Sequence, residues 1–310
     1  MKYKNHKTPT KNNICAIVVT YFPDKELPDR IERILKQLNK VVIVDNNSSE
    51  DCLEMLKKIK KEKKVELIIN NENLGVATAL NIGFRFAINC GDSYDWCLTM
   101  DQDSLVNPEM VQTLIEAYAD CKYSFNVGII GSNYQEWTTG SILFNDQKQH
   151  GKWTEVQHLP TSGCLTSIPI YQKVGDFRDE FFIDYVDTEY CIRLRESGFK
   201  VIISPKVIMK HPLGYYKHSK MHNFLFGQPM VSNYPAIRCY YWTRNGIIVS
   251  REQLCKNFKW SIGQLYYLLV IRLFMVILFE DNKLKKLTNI FTGILHALIL
   301  KTGKLKKGIQ

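Results

Sequence analysis

Two aspartates, Asp101 and Asp103, sit two residues apart where an apolar run ends, in Leu98-Thr99-Met100-Asp101-Gln102-Asp103-Ser104. A strand tip carrying Asp-x-Asp offers hard oxygen ligands to a divalent cation. Mg²⁺ and Mn²⁺ sites of this kind use one or two carboxylates and complete their shell with substrate phosphates. The chemistry on offer is a grip on a nucleotide diphosphate through its metal. Asp-x-Asp turns also occur on ordinary loops, so the triplet gains meaning only from what stands around it.

The elements that must position these acids are legible upstream. Ile14–Thr20 is a continuous β-rich apolar run, as a strand buried on both faces should be. Ile31, Ile34, Leu35 and Leu38 recur at helical spacing within 28–39. A second strand, 41–44, ends on the polar turn Asp45-Asn46-Asn47-Ser48-Ser49. A helix over 52–63, a strand over 65–69, a helix over 75–87 and a strand over 96–100 follow. This order predicts an α/β fold whose parallel sheet has helices on both faces, with ligands beyond the carboxyl ends of the strands. Thr20, Asp45, Asn73 and Asp101 all fall at such ends. From about residue 127 the pattern becomes mixed, with shorter strands and more turns.

Composition bounds the answer. Of the 310 residues, 45% are hydrophobic and 23% charged, ordinary for a globular chain and against disorder. Residues 1–11 are polar and basic and the first apolar run has strand length, so no secretory leader is expected. Nine cysteines without any Cys-x-x-Cys pair suggest reduced thiols in the cytoplasm rather than a disulfide framework or a zinc site. The net charge of +10 is uneven: residues 251–310 hold eleven Lys or Arg against three acids. That asymmetry points to an acidic partner, a nucleic acid or an anionic membrane.

Seven ordered motifs carry a resemblance. Val18-Val19-Thr20-Tyr21-Phe22-Pro23, Val44-Asp45-Asn46-Asn47-Ser48-Ser49, Asn73-Leu74-Gly75 through Asn81-Ile82-Gly83, and Asp101-Gln102-Asp103 resemble successive motifs of family 2 glycosyltransferases with the GT-A fold. Phe182-Ile183-Asp184-Tyr185-Val186-Asp187-Thr188-Glu189-Tyr190, His211-Pro212-Leu213-Gly214 and Tyr241-Trp242-Thr243-Arg244-Asn245 resemble its rhamnosyltransferase branch. The resemblance implies a Rossmann-like mixed sheet flanked by helices. It covers a GT-A domain over 13–250, with a nucleotide-binding half at 13–126 and an acceptor half at 127–250. Residues 251–310 would form a basic, amphipathic helical extension.

The resemblance implies an inverting, metal-dependent transfer from a nucleotide-sugar, dTDP-rhamnose before a UDP-sugar, to a lipid-linked or growing surface polysaccharide. Asp103, with Asp101 and His211, would hold Mn²⁺ or Mg²⁺; a lone histidine is otherwise more often structural. Thr20 and Tyr21 would wall the base pocket, and Asp45 would accept from a pyrimidine N–H, its plain alternative being a helix cap. Gly75 allows close backbone approach beside Asn73, or merely starts a helix, and Asn81 would meet the ribose or phosphate. Asp187 would be the general base, although this chain reads Val186-Asp187 where many members read Glu-Asp. Asp184 and Glu189 are the rivals for that role. Thr161-Ser162-Gly163 would underlie the acceptor, and Arg244-Asn245 would face acceptor or diphosphate, Arg being suited to forked oxygen recognition.

The tail adds a different expectation. Leu265 to Phe279 is nearly all apolar but contains Arg272 and falls short of the roughly 18 residues of a spanning helix. Leu287, Ile290, Phe291, Ile294 and Leu298 share a helical face between basic clusters. The reading is an interfacial anchor on the anionic cytoplasmic leaflet, or a helical hairpin that packs on the domain or pairs two chains as a homodimer. Other function classes fit less well. An aspartate-nucleophile phosphohydrolase needs its Asp-x-Asp after the first strand, and three strand-like runs precede it here. A nucleic-acid binder needs basic residues interleaved with stacking aromatics, whereas these flank apolar helices.

Overall fold

The computed structural model describes residues 7–145, 151–212 and 214–305. Leu213 of the histidine motif and Lys306 and Lys307 of the basic tail lie outside the described residues. The chain divides into two compact units, residues 1–177 with 187–212, and residues 178–186 with 213–310. The units part near residue 212, ahead of the expected boundary at 250.

The first unit alternates strand and helix. β1 (Ile14–Thr20), α1 (Leu27–Leu35), β2 (Val41–Asp45), α2 (Glu50–Ile59), β3 (Val65–Ile69), α3 (Val76–Asn89) and β4 (Trp96–Asp101) follow the order read from hydrophobic spacing. β5 (Leu105–Val106), α4 (Met110–Asp120), β6 (Val127–Glu136), β7 (Thr154–Glu155), β8 (Cys164–Ser167), α5 (Ile168–Val174), α6 (Val186–Glu196) and β9 (Lys200–His211) complete it. The strands form one sheet in the order β3-β2-β1-β4-β8-β6-β9-β5, with β7 also on β9. β1, β2, β3 and β4 pair in parallel; β8 runs antiparallel to both β4 and β6. The strand order reverses direction at β1, so a crevice opens between the ends of β1 and β4, where open α/β sheets bind ligands.

The core explains the register. Every residue of β2, and all but Val19 of β1, is buried, as are the first five residues of β4. Burial on both faces fits continuous apolar runs rather than alternation. α3 lies close on β1 because residue 83 is glycine: a Cβ there would stand 2.4 Å from Ile17 Cγ2.

The second unit is mainly helical. It comprises β10 (Tyr216–His218), α7 (Lys220–Phe226), β11 (Met230–Ser232), α8 (Ala236–Glu252), α9 (Phe258–Tyr266), α10 (Arg272–Phe279) and α11 (Lys283–Leu298). β10 and β11 form a two-stranded sheet, and α11 packs along α8. One π-helical turn, Tyr267–Ile271, joins α9 to α10 into a 22-residue helix, Phe258–Phe279. The apolar segment is thus longer than the fifteen residues expected, and by length and apolarity it is sufficient to cross a membrane. The polar breaks that shortened the sequence reading are absorbed inside the unit: Ser261 is buried and Gln264 accepts from Tyr185 Oη. Arg272 is also buried, paired with Glu280, which in turn takes Lys286 Nζ at 2.6 Å.

Candidate active site

The ends of β1, β2 and β4 converge as their spacing implies. Thr20 pairs across the sheet with Asp45, and Val19 with Asp101. Asp45 is fully buried. Its carboxylate accepts from Thr20 Oγ1 at 2.8 Å, from Ser48 Oγ at 2.6 Å and from the Ser48 N–H at 2.8 Å. Three of about four lone-pair sites are therefore used within the turn; α2 starts from Ser49, so Asp45 is not its cap. Tyr21 is exposed, and its backbone is clamped from both sides by the Gln102 amide. Asn73 Oδ1 accepts the Gly75 N–H, and Gly75, at φ +88°, caps α3. Asn46 anchors this turn through the Gly75 carbonyl.

Asp101, Asp103 and His211 come together. One ligand atom from each lies within 4.8 Å of the others. His211 Nε2 is 3.9 Å from Asp101 Oδ2, and Nδ1 is 3.8 Å from Asp103 Oδ1. β9 carries the histidine to the acids because its end pairs with β5, immediately past Asp103. The buried Asp103 Oδ1 makes no hydrogen bond. Burial pushes the Asp103 carboxyl above its ordinary range, and the neighbouring His211 pulls it back. An acid oxygen that is buried without a donor, facing a second acid and an imidazole, fits a divalent ion of the Mg²⁺ or Mn²⁺ type.

A hydroxyl relay sets the loop. Ser104 Oγ lies 2.7 Å from His211 Nδ1 and 2.7 Å from Ser162 Oγ, and Ser162 Oγ also accepts the Asp101 N–H at 3.0 Å. Thr161 and Gly163 are tied to Thr99 on β4, by Thr99 Oγ1 donating to the Thr161 carbonyl and by the Gly163 N–H. Thr161-Ser162-Gly163 therefore braces the metal-facing acids. Arg30 on α1, also buried, donates to the Gln102 carbonyl. Arg30 and Ser104 escaped the sequence reading. Arg30 beside Ile31 on an otherwise apolar helical face was the available signal.

Three expected ligand contacts take another place. Asn81 is buried in the core, where its Oδ1 accepts from Tyr171 Oη and the Phe177 N–H and its Nδ2 donates to the Phe177 carbonyl. It pins a distant turn instead of a ribose. Arg244 and Asn245 are both fully buried. The Arg244 guanidinium donates to the carbonyls of Gly303, Glu180 and Phe181, and Asn245 Nδ2 to those of Phe181, Ile183 and Asp184. Arg244 Nε also donates to Asn245 Oδ1 and Nη1 to Tyr240 Oη, so the donors of the pair are spent inside the unit. Asp187 is half-buried in the first turn of α6, its Oδ1 accepting from the Thr188 N–H at 2.7 Å. Glu189 is held by Arg193 one turn on, and Asp184 by Arg238.

Residues 15–175 match the sequence model of Glycosyl transferase family 2. The dTDP-rhamnosyl transferase RfbF of Shigella flexneri is 31% identical over 251 residues, covering 78% of this chain and 81% of RfbF. The chain belongs to glycosyl transferase family 2. Solved structures place this glycosyltransferase in the GT-A fold. TarS 1–349 of S. aureus superposes with a TM-score of 0.58 at 12% identity, covering 92% of this chain and 80% of that one. GalNAc-T7, solved with UDP, GalNAc and Mn²⁺, gives 0.56 at 12% identity, covering 77% and 48%. The glycosyltransferase thus has a nucleotide-sugar donor and a DxD-like metal site in Asp101, Asp103 and His211.

Proposed function

We propose that this enzyme transfers L-rhamnose, with inversion, from dTDP-rhamnose to a lipid-linked or growing surface polysaccharide. The likeness to RfbF across most of both chains supports the donor, and the Asp101–Asp103–His211 cluster at the crevice is the observation that carries the reading. Bound there, Mn²⁺ or Mg²⁺ would supply Lewis-acid charge neutralisation at the diphosphate. Asp103 and Asp101 would orient the donor, with His211 closing the third side. Tyr21 and Thr20 border the base end, and the Asn73-Gly75 turn offers backbone to the nucleotide. Asp187 takes the proton of an acceptor hydroxyl as that oxygen bonds to the anomeric carbon; the bond to the diphosphate oxygen breaks, and the diphosphate leaves with its electron pair. Arg193 pairs with Glu189 and Arg238 with Asp184, while Asp187 stands in the first turn of α6.

The test is a thermal-shift and nucleotide-release screen of dTDP-rhamnose, UDP-glucose, UDP-galactose and UDP-N-acetylglucosamine, with and without Mn²⁺. A donor at a hundredfold over its Kd adds about 2.7 kcal/mol. Metal-dependent stabilisation by dTDP-rhamnose, lost in Asp103→Asn, is expected. Preference for a UDP-sugar makes the enzyme a hexosyl or N-acetylhexosaminyl transferase, and no response to any nucleotide diphosphate removes the reading.

The helix Phe258–Phe279 supports a lipid-linked acceptor met at the anionic cytoplasmic leaflet. Phe258, Ile262, Tyr266, Val270, Phe274 and Ile277 are exposed at helical spacing, while Arg272 turns inward. One face packed on its own unit and one apolar face outward suit a helix lying in the interface better than a span. Lys256, Lys259, Lys283 and Lys285 flank it with charge for anionic lipid. Flotation with phosphatidylglycerol vesicles reads this directly. Failure to float, with a dimer in sedimentation, assigns the face to a second copy.

A further inference from the structure

The second unit contains a cavity of about 130 Å³ lined by Asp184, Tyr234, Arg238, Cys239, Trp242 and Arg272. Its wall is built at some cost to the backbone. Asp184 stands at φ +65°, with Phe182 at +64° and Tyr185 at +62°, a region that non-glycine residues avoid. Asn245 holds the loop there through three carbonyls, and strain fixed by its surroundings in this way clusters at ligand sites.

One polar group of the wall is left open. Asp184 is gripped by Arg238, through Nε at 2.8 and 3.1 Å and Nη2 at 2.5 Å, which uses about three of its four lone-pair sites. Arg272 is 3% exposed, and its Nη1 pairs with Glu280, yet its Nε makes no hydrogen bond. A buried N–H on a cavity-lining residue calls for an oxygen acceptor. Beside these groups stand two aromatic rings. Tyr234 and Trp242 lie 6.4 Å apart at 49°, with Arg272 against both and Arg238 against Tyr234.

The combination selects a ligand class. Aromatic faces with a few fixed polar groups are the make-up of small-molecule sites. A sugar ring presents C–H faces to such rings and hydroxyls to carboxylate and guanidinium. Phosphate suits the lining less, because Arg238 is balanced by Asp184 and Arg272 by Glu280. We propose that this cavity is a saccharide subsite, which takes one neutral pyranose ring of the acceptor glycan. The proposal rests on the reading of the chain as a transferase with a saccharide acceptor. Asp184 is three residues ahead of Asp187, so chain length alone keeps their Cα atoms within roughly 11 Å.

Saturation-transfer NMR on the full chain, without donor, tests it with methyl α-L-rhamnoside, methyl β-D-glucoside and methyl N-acetyl-β-D-glucosaminide, and with inorganic phosphate as competitor. One glycoside is expected to bind. Its affinity should fall about tenfold, or 1.4 kcal/mol, in Trp242→Ala and in Arg272→Lys, and recover in Trp242→Phe. Mn²⁺-dependent dTDP binding, followed in parallel, should hold in all three, which separates loss of the subsite from loss of fold. No glycoside binding, binding indifferent to Trp242, or displacement by phosphate overturns the subsite. Glycoside binding without any dTDP binding would leave the subsite standing and remove the proposed donor chemistry.

Discussion

Replacing Arg244 with methionine distinguishes a structural guanidinium from a substrate-facing one. Arg244 Nη1 is the side-chain donor to the Gly303 carbonyl, at 2.6 Å, and that acceptor would lose it. The Glu180 carbonyl keeps the Gly303 N–H, the Phe181 carbonyl keeps Asn245 Nδ2, and Tyr240 Oη keeps His296. The damage thus concentrates on one abandoned acceptor, about 1–3 kcal/mol, plus the bonds lost from a charged donor at about 1.5–3 kcal/mol each before relaxation. A net loss of about 3–5 kcal/mol follows, since methionine fills the space of the stem but not of the fork. For a chain of this size that lowers Tm by about 5–15 °C. Calorimetry at fixed scan rate, with dTDP binding measured below the transition, reads both quantities. Arg244→Lys, which can serve only part of the fork, should fall between. A methionine variant that melts within about 1 °C of the parent yet loses acceptor turnover would refute the structural role.

Three further outcomes follow from the geometry. Ser162→Ala removes the acceptor of the Asp101 N–H and the link to Ser104, so Mn²⁺ affinity should drop roughly 10- to 100-fold, as for other supports of a metal ligand, with Tm little changed; isothermal titration shows this, and unaltered affinity counts against the relay. Asp184 has its carboxyl raised above the ordinary 3.8 by burial, with Arg238 opposing; a raised folded-state value gives stability that is complete below 3.8 and fades as pH rises through the folded value. The Tm gap between the parent and Asp184→Asn should therefore move in the parent's favour on going from pH 7 to pH 4, and a flat or reversed gap contradicts the sign. Gly83→Ala drives a Cβ into Ile17 Cγ2 and should destabilise by about 1–3 kcal/mol, with partial recovery in combination with Ile17→Ala, both read from denaturant midpoints.

The parallel half was readable because strands buried on both faces appear as nearly unbroken apolar runs, as β1, β2 and β4 do; β3, at the sheet edge, carries Glu66 and buries only Val65 and Leu67. The metal-facing acids were readable for the same reason, since each strand end points at the crevice. What failed to show was every role settled by a distant partner. Asn81 looks like a ligand-facing amide until Phe177, ninety-six positions on, arrives to occupy it. Arg244 looks like a phosphate fork until the carbonyls of Glu180, Phe181 and Gly303 close around it. The tail helix was cut short at Leu265 because Lys259, Ser261 and Gln264 interrupt its hydropathy, although two of them turn into the unit.

The place of β8 in the sheet has a consequence for biogenesis. Only Cys164–Ser167 pairs with the outer edge of β4, and the residues just before it brace Asp101. While the ribosome adds the residues between Asp101 and Ser167, at roughly 5–20 residues per second, the nascent sheet presents a bare, apolar strand edge for about 3–13 s. Chains that stall or are cut in that interval would carry the metal-binding acids on an unfinished edge, open to pairing with other nascent chains. Protein released before residue 167 should therefore partition to inclusion bodies, and the shortest soluble fragment should be one that includes β8.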